Sequence, residues 1–265
     1  MVDRYGRVIS YLRISVTDTC NLRCYYCAPP SGAPRASRDP LRAREIAEVA
    51  RVAASLGITK FRITGGEPTL RSDLPQIVES LAELPGLTDL AMTTNGTRLA
   101  PLAARLRDAG LRRVNVSLDS VDPARYREIT GGGDLQQSLE GIAAAVGAGL
   151  FPLKLNCVVS ASADEADARG VAAFAARHGY EARFIPRMDL ASGRYSVVLG
   201  GDGGDCARCN RLRLTCDGLV VPCLFSDLRY SVRELGARAA LEAAVEHKPA
   251  RGGPCGTGSL YDIGG

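Results

Sequence analysis

The stretch that decides the fold reads Leu12-Arg13-Ile14-Ser15-Val16, then Thr17-Asp18-Thr19, then Cys20-Asn21-Leu22-Arg23-Cys24-Tyr25-Tyr26-Cys27. Its first five residues alternate apolar and polar side chains, which predicts a β-strand. The cysteines follow almost directly. Three thiolates are therefore expected in the loop at the C-terminal end of the first strand, where α/β folds build their active sites.

Short β-type runs of this kind alternate with longer amphipathic helical patterns between residues 11 and 186. Such alternation is typical of βα repeats around a parallel sheet. Six strands are too few to close an eight-stranded barrel, so we predict an α/β fold, an incomplete (β/α)6 TIM-like barrel. The predicted strands are residues 12–16, 60–64, 89–93, 113–118, 154–159 and 182–185, and the predicted helices are 41–56, 99–109 and 139–148.

The pattern changes after Met188. Residues 192–205 are rich in Gly and Asp and have no helical period, and only residues 232–245 of the remaining tail predict a helix. We therefore predict a barrel domain over residues 1–190 and a small C-terminal cysteine-rich domain over residues 191–265.

Composition and charge exclude several classes of protein. The chain has 265 residues, 46% of them hydrophobic and 23% charged, which excludes disorder. No apolar run approaches the roughly 18 residues of a membrane span, and a net charge of +4 is too mild to predict nucleic-acid binding. The polar start, with Asp3, Arg4 and Arg7, predicts a cytoplasmic protein. With only His178 and His247, a Ser-His-Asp hydrolase or a histidine-rich zinc enzyme is not favoured.

The nine cysteines fall mainly into two sets of three, with Cys157, Cys216 and Cys255 left over. Disulfides are uncommon inside cells, so metal centres are the better explanation. Three thiolates can hold three irons of a 4Fe-4S cluster and leave the fourth iron open. Zinc is the alternative, chiefly where Cys216 or Cys255 could complete a site of four thiolates. The predicted ligands are Cys20, Cys24 and Cys27 for one cluster and Cys206, Cys209 and Cys223 for the other.

The first set, Cys20-x3-Cys24-x2-Cys27 with Tyr26 before the last cysteine, resembles the signature of radical S-adenosylmethionine (SAM) enzymes. The run Gly65-Gly66-Glu67-Pro68, after the second predicted strand, resembles the GGEP element of that family, whose flexible backbone approaches SAM closely. Further motifs lie at or after later strands, which predicts that they share one rim. Each alone is also typical of a cap or turn, but together they favour a site; they lie at residues 93–96, 117–120 and 154–156.

Within that superfamily, residues 4–190 and 206–225 resemble the GTP 3′,8-cyclases, lyases of molybdenum cofactor (molybdopterin) biosynthesis. The resemblance implies two 4Fe-4S clusters and SAM as cofactors, with both clusters facing one chamber. It implies contacts with SAM at Tyr26, Gly65, Gly66, Glu67, Ser117 and Met188, and contacts with GTP at Arg13, Lys60, Arg62, Thr93, Lys154, Arg183, Arg211 and Arg213. The resemblance implies catalytic roles for Arg211, Arg213 and the terminal Gly264 and Gly265. Such a glycine-rich end is also typical of a frayed terminus.

The implied reaction converts GTP to 3′,8-cyclo-7,8-dihydro-GTP. A 5′-deoxyadenosyl radical from SAM takes hydrogen from C3′, the C3′ radical attacks C8 of the guanine, and reduction with protonation completes the product. The resemblance also implies an external electron donor such as flavodoxin or ferredoxin and a downstream cyclic pyranopterin synthase, and it leaves a homodimer open.

The basic residues point to an anion without help from the resemblance. Strand alternation places Lys60 and Arg62 on one face, and Arg13 can point the same way. Buried charges of one sign require a counter-charge, which a triphosphate supplies through charge-assisted hydrogen bonds. Ion pairing with Glu67 or Asp119 could account for one or two of these cations.

The match has departures that bear on the substrate. Only seventeen residues separate Met188 from Cys206, where the family has a longer insertion, and Pro186-Arg187 stands in place of the usual Glu-Phe. The alternatives are a radical SAM enzyme acting on another nucleotide or on a peptide, and a non-catalytic metal or redox protein. Arg211 and Arg213 favour GTP, because a peptide enzyme has no need of so many cations.

Overall fold

Six parallel strands lie side by side in the order of the sequence in the computed structural model, which describes residues 1–27 and 39–256. All six sequence-predicted strands are confirmed within two residues at each end. They are β1 (Tyr11–Ser15), β2 (Lys60–Thr64), β3 (Asp89–Thr94), β4 (Arg113–Ser117), β5 (Lys154–Val159) and β6 (Glu181–Pro186). Gly264 and Gly265 lie outside the described residues.

Helices connect these strands. They are α1 (Ala43–Ser55), α2 (Leu74–Ala82), α3 (Ala103–Asp108), α4 (Pro123–Thr130), α5 (Leu135–Gly147) and α6 (Ala166–His178), with a 3₁₀ turn at Pro68–Leu70. The helix predicted over residues 139–148 begins earlier, because the Asp134 side chain caps its N-terminus by accepting a hydrogen bond from the Gln136 amide. The strands and helices together form a partial barrel of the α/β class.

Strand alternation separates the core from the concave face of the sheet. Leu12 and Ile14 of β1 are fully buried and join the same apolar core as Ile46 of α1. The side chains that alternate with them, Tyr11 and Arg13, face a chamber on the other side of the sheet. One strand thus contributes both to stability and to the site.

A seventh parallel strand, β7 (Arg211–Leu214), pairs directly with β1. Two short antiparallel strands, β8 (Leu219–Val221) and β9 (Tyr230–Ser231), extend this edge. Leu212, Leu214 and Val220 join the main core. The predicted separate C-terminal domain is therefore not confirmed, since this part of the chain continues the sheet and core of the barrel.

The single helix predicted over residues 232–245 is two helices, α7 (Val232–Leu235) and α8 (Ala237–Glu246). They are divided at Gly236, whose φ of +78° and ψ of 155° cannot continue a helix. Helix α8 packs against α1, so the last described helix contacts the first one. Within residues 1–27 and 39–256, none of the helices has both the length and the apolar character needed to cross a bilayer.

Candidate active site

The concave face of the sheet lines a chamber of about 280 Å³. Three neighbouring strands, β2, β1 and β7, contribute side chains to it. These side chains form two rows that run across the strands, and the members of each row are paired in register. Arg13 lies between Arg62 and Arg213, and one step earlier Tyr11 lies between Lys60 and Arg211. The register places five cationic side chains on adjoining positions of one face, which confirms the face predicted for Lys60, Arg62 and Arg13.

Burial and mutual repulsion act on these cations. Burial, and then the charge of Arg213, lower the pKa of Arg13 well below its ordinary value. Burial and the neighbouring Arg211 lower the pKa of Arg213 to about 10. The array therefore destabilises the empty fold, and an anion in the chamber would relieve that repulsion.

Several polar atoms around the chamber have no hydrogen-bond partner among the described residues although they are buried. They are Tyr11 Oη, Arg62 Nε and Arg183 Nε, which belong to lining residues, and Thr93 Oγ1, which lies further along β3. Buried donors are normally satisfied. The guanidinium groups of Arg62 and Arg211 stack over the Tyr11 ring, 5.6 and 5.9 Å from its centre, so the ring fixes their direction without using their N–H groups. These donors remain available to a ligand.

Two predicted GTP contacts do not line this chamber. Lys154 on β5 forms an ion pair with Glu181, its neighbour in register on β6. Thr93 lies on β3 opposite Asn115, away from the chamber-lining positions. Arg183 on β6 does line the chamber, from the side opposite β7.

The first cysteine set lies in a loop beyond the carboxyl end of β1. The loop is attached to the end of α4, because the amides of Arg23 and Tyr25 donate to the carbonyls of Thr130 and Ile129. A tight turn follows, in which the Cys27 amide donates to the Cys24 carbonyl at 2.9 Å. The three thiols are partly exposed. Among the described residues neither this set nor any other group of three is arranged to hold a single metal ion, whereas a 4Fe-4S cluster binds its three cysteines on separate irons.

Two buried carboxylates flank this loop. Glu67 is 1% exposed and accepts hydrogen bonds from Thr69, from the Thr94 hydroxyl at 2.7 Å and from the Asn95 amide at 2.7 Å. Asp119 is 4% exposed and accepts from the Tyr26 hydroxyl and, at 2.8 Å, from the Val158 amide. The Tyr26 link ties the cysteine loop to the ends of β4 and β5.

These surroundings disfavour negative charge on the thiols when no ligand is bound. Burial, and then the Asp119 carboxylate, raise the pKa of Cys24 to about 12. Burial and the Cys20 thiol raise the pKa of Cys27 to about 11. Burial also raises the pKa of Asp119 to about 6. The site is therefore prepared for a positively charged ligand or metal group.

The two glycines after β2 hold the loop in place. The Gly66 amide donates to Thr17 at 2.7 Å, and a Cβ at Gly66 would lie 2.3 Å from the Thr19 carbonyl oxygen. Gly65 has a φ of +140°, and a Cβ there would lie 2.3 Å from the Thr17 carbonyl oxygen. Glycine is required at both positions by the close approach of the chain that leads to Cys20.

The second cysteine set faces the chamber from the β7 side. Cys206, Cys209 and Cys223 all line it, and the Tyr195 hydroxyl lies 3.0 Å from Cys206 Sγ. A Cβ at Gly252 would come within 3.3 Å of Cys223 Sγ, so glycine leaves space beside this thiol. Three partly buried sulfur donors on a cavity wall again suit a cluster with an open side.

Cationic groups surround this second set. Burial would raise the pKa of Cys209, but the Lys248 ammonium and the Arg211 amide outweigh it and lower that pKa. Lys248 is the residue that the sequence reasoning missed, because a lone lysine after a C-terminal helix carries no motif. Tyr11 was also missed, although its place two residues before Arg13 on one strand could have revealed it.

The remaining predicted residues divide between the two ends of the site. Ser117 ends β4 opposite Asn156, two residues before Asp119, whereas Met188 lines the chamber. Cys157 donates to the Asp119 carbonyl at 3.6 Å and Cys255 to Asp227 at 3.1 Å. None of the nine cysteines, all of which lie in the described part of the chain, forms a disulfide.

Comparison with known proteins agrees with this arrangement. The radical SAM superfamily matches residues 14–175. The chain is 39% identical over 304 aligned positions to the GTP 3′,8-cyclase of Moorella thermoacetica, covering 94% of each chain. It is 37% identical over 292 positions to that of Petrotoga mobilis, covering 93% of this chain and 90% of the relative. An alignment of 304 positions exceeds the 265 residues present here, so that relative has internal residues that this chain lacks.

Among solved structures, native anSMEcpe with bound AdoMet has a TM-score of 0.69 at 17% identity, over 91% of this chain and 81% of that one. Streptococcus suis SuiB bound to S-adenosylmethionine has a TM-score of 0.64 at 15% identity, over 91% and 64%. These similarities show the fold. The matched superfamily and the two cyclase relatives show the family: the chain belongs to the radical SAM superfamily and, within it, to the GTP 3′,8-cyclases.

Proposed function

We propose that the protein is a radical SAM lyase that converts GTP to 3′,8-cyclo-7,8-dihydro-GTP in molybdenum cofactor biosynthesis. The observation that carries the proposal is the charge of the chamber lined by the second cysteine set: eight cationic side chains line it against three carboxylates. A triphosphate supplies the negative charge that this excess requires. The cyclase names of the relatives support the same substrate.

In this proposal Cys20, Cys24 and Cys27 hold one 4Fe-4S cluster, and Cys206, Cys209 and Cys223 hold the second, auxiliary cluster within the C-terminal residues 191–265. When bound, the clusters and SAM supply the one-electron chemistry and the hydrogen abstraction. The chain positions them. Tyr26, Gly65, Gly66, Glu67, Ser117 and Met188 are the proposed contacts of SAM, whose sulfonium and ammonium groups suit the buried carboxylates.

The cationic rows orient the substrate. Arg13, Arg62 and Arg213 form one row and would bind phosphate oxygens through paired N–H donors. Lys60 and Arg183 extend this surface, whereas Arg211 lies nearest the second cysteine set in sequence. Holding C3′ of GTP against the SAM side and excluding water are the contributions of the protein to the rate.

The proposal extends to residues and partners beyond this geometry. Lys154 would reach GTP only after its ion pair with Glu181 opens, whereas the Thr93 hydroxyl has no partner among the described residues to give up. Gly264 and Gly265 would enter the chamber to assist cyclisation. A flavodoxin or ferredoxin would supply electrons, a cyclic pyranopterin synthase would accept the product, and a homodimer is a further expectation.

The test is anaerobic incubation of the reconstituted protein with SAM, a reductant and each nucleoside triphosphate in turn. One hydrogen leaves C3′ while one electron and one proton are added, so the product keeps the mass of GTP and must be resolved by chromatography. GTP carrying deuterium at C3′ should transfer that deuterium to 5′-deoxyadenosine. Turnover of a different nucleotide, or of a peptide, in place of GTP would contradict the proposal.

A further inference from the structure

Lys248 is a buried cation beneath the second cysteine set. It follows α8 and is 2% exposed. Its ammonium donates to the carbonyl of Arg211 at 2.8 Å and to the carbonyl of Pro222. Arg211 lies two residues after Cys209, and Pro222 directly precedes Cys223. One side chain therefore joins the two backbone segments that carry two of the three thiols.

The same ammonium acts on the thiols themselves. Its positive charge lowers the pKa of Cys209 and acts in the same direction on Cys223. An ammonium has three protons. Two of them are donated to the carbonyls of Arg211 and Pro222, so Lys248 is held by the segments that carry these thiols.

A second buried cation holds this lysine in place from the N-terminal segment. Arg7 donates to the Cys206 carbonyl at 2.8 Å, and to the carbonyls of Pro249 at 2.7 Å and Ala250 at 3.2 Å. Its Nε–H donates to the Asp3 carboxylate at 2.6 Å. The third cysteine and the segment after Lys248 are thus fixed by one guanidinium, and the ammonium cannot easily swing away.

We infer that Lys248 is a positioning residue that raises the reduction potential of the cluster held by Cys206, Cys209 and Cys223. The inference rests on the proposed function, which places a cluster there. Reduction by one electron from an external low-potential reductant makes the cluster one unit more negative, and no bond to Lys248 forms or breaks. A fixed, buried positive charge stabilises the more negative state, since charge, hydrogen bonds to sulfur and burial set cluster potentials.

The test measures a potential and not turnover. A full-length background variant with Cys20, Cys24 and Cys27 changed to Ala leaves one cysteine set, so the cluster signal has one source. The background is titrated anaerobically with dithionite and followed by electron paramagnetic resonance, alone and with Lys248→Met, Lys248→Arg or Lys154→Met. Lys154 makes the matched control because its ammonium is paired with Glu181 and not with a cysteine.

Lys248→Met is expected to lower the ratio of reduced to oxidised cluster about tenfold at a fixed potential, which corresponds to about 59 mV for one electron. Lys248→Arg should stay near the background value, and Lys154→Met should not shift it. A Lys248→Met protein with full iron and the background potential would overturn the inference.

Iron content, measured for every variant, decides the remaining outcomes. Loss of iron in Lys248→Met with retention in Lys248→Arg would support a charge that holds the cysteine set together. Loss in both would overturn it, because shape and not charge would then matter. If the background itself binds no iron while the unmodified protein holds a single cluster, the proposed auxiliary cluster is wrong, an outcome distinct from any effect of Lys248.

Discussion

The two cysteine sets have the same number of thiols but opposite electrical surroundings. Around Cys20, Cys24 and Cys27 the buried ionisable groups are the carboxylates Glu67 and Asp119. Around Cys206, Cys209 and Cys223 they are Lys248, Arg211 and Arg213. The pKa of Cys24 rises to about 12 through burial and Asp119, whereas the cations lower the pKa of Cys209 against the effect of burial.

The difference teaches that each set is matched to the molecule proposed beside it. SAM carries a sulfonium and an ammonium, which carboxylates favour, and GTP carries a triphosphate, which arginines favour. Cysteine spacing alone does not distinguish the two roles. The charged groups around each set distinguish them, because these groups determine which ligand can bind there without leaving a buried charge uncompensated.

The largest expected effect separates the two sets directly. Cys24→Ser should abolish SAM cleavage, because serine is a poor iron ligand and this set lies beside the Gly65-Gly66 turn. Cys209→Ser should leave SAM cleavage working but uncouple it from product. The measurement is 5′-deoxyadenosine formed with and without GTP, with Cys157→Ser as a control at a buried cysteine that belongs to neither set and whose thiol contacts only the backbone carbonyl of Asp119 and its own neighbour. Equal loss in the Cys24 and Cys209 variants would mean that the sets do not divide the work.

Next comes the cationic side of the comparison. Arg213→Ala should weaken GTP binding by about 1.5 to 3 kcal/mol, the value of a hydrogen bond to a charged group, or one to two decades in affinity. Arg211→Lys should also lose affinity, since a point charge cannot replace a paired fork of donors. Anaerobic calorimetry with GTP and ATP measures both, and Arg105→Ala on the exposed face of α3 is the control. If GTP binds to both chamber variants as tightly as to the unmodified protein, the proposal that GTP binds in the chamber is wrong.

The close approach at Gly66 provides a test of how the first set is held. Gly66→Ala should lower the free energy of unfolding by about 2 kcal/mol, because its Cβ would lie 2.3 Å from the Thr19 carbonyl oxygen. Urea unfolding of the metal-free protein measures the change. Gly147→Ala at the end of α5 is the matched control: its Cβ would meet nothing within 4 Å, so a gain of up to about 1 kcal/mol is expected. A Gly66 variant as stable as the control would show that the turn does not need glycine.

The smallest effect concerns pH. Burial raises the pKa of Asp119 from an ordinary 3.8 to about 6, so between these values the folded protein binds the proton more tightly than the unfolded chain. Stability from this group is therefore lost as pH rises through that window, by about 1 kcal/mol between pH 5 and pH 7. Asp119→Asn should remove this loss. Urea midpoints at both pH values measure it, with exposed Asp108→Asn as the control, and an undiminished slope in Asp119→Asn would assign the pH dependence elsewhere.

Local patterns were sufficient for the strands and for half of the site. Alternation identified the shared face of Lys60 and Arg62, because the two-residue period of a strand depends on nothing distant. The first cysteine set needed only its position after β1. By contrast, the ion pair of Lys154 with Glu181 could not be predicted, because it becomes visible only when the register between β5 and β6 is known.

Two features could not be predicted because they depend on contacts between segments that are distant in the sequence. Strand β7 pairs with β1 across nearly 200 residues, which no window of sequence reports. Lys248 gains its place through carbonyls of Arg211 and Pro222, and backbone acceptors leave no trace in side-chain identity. The division of the last helix at Gly236 was readable in principle, since glycine is a poor helix former, but position alone does not show its φ of +78°.

The pairing of β7 with β1 also has a consequence for how the protein is made. During synthesis β1 emerges about 200 residues before its partner β7, so one edge of the sheet lacks a neighbour while the chain between them is made. Unpaired strand edges are sites of association between nascent chains. The loop of the first cysteine set follows β1 directly, but the second set and the β7 side of the chamber must wait for residues 206–223. Chains stalled before β7 should therefore aggregate at the β1 edge. Co-expression of a chaperone should raise the yield of soluble protein and leave the iron content per chain unchanged.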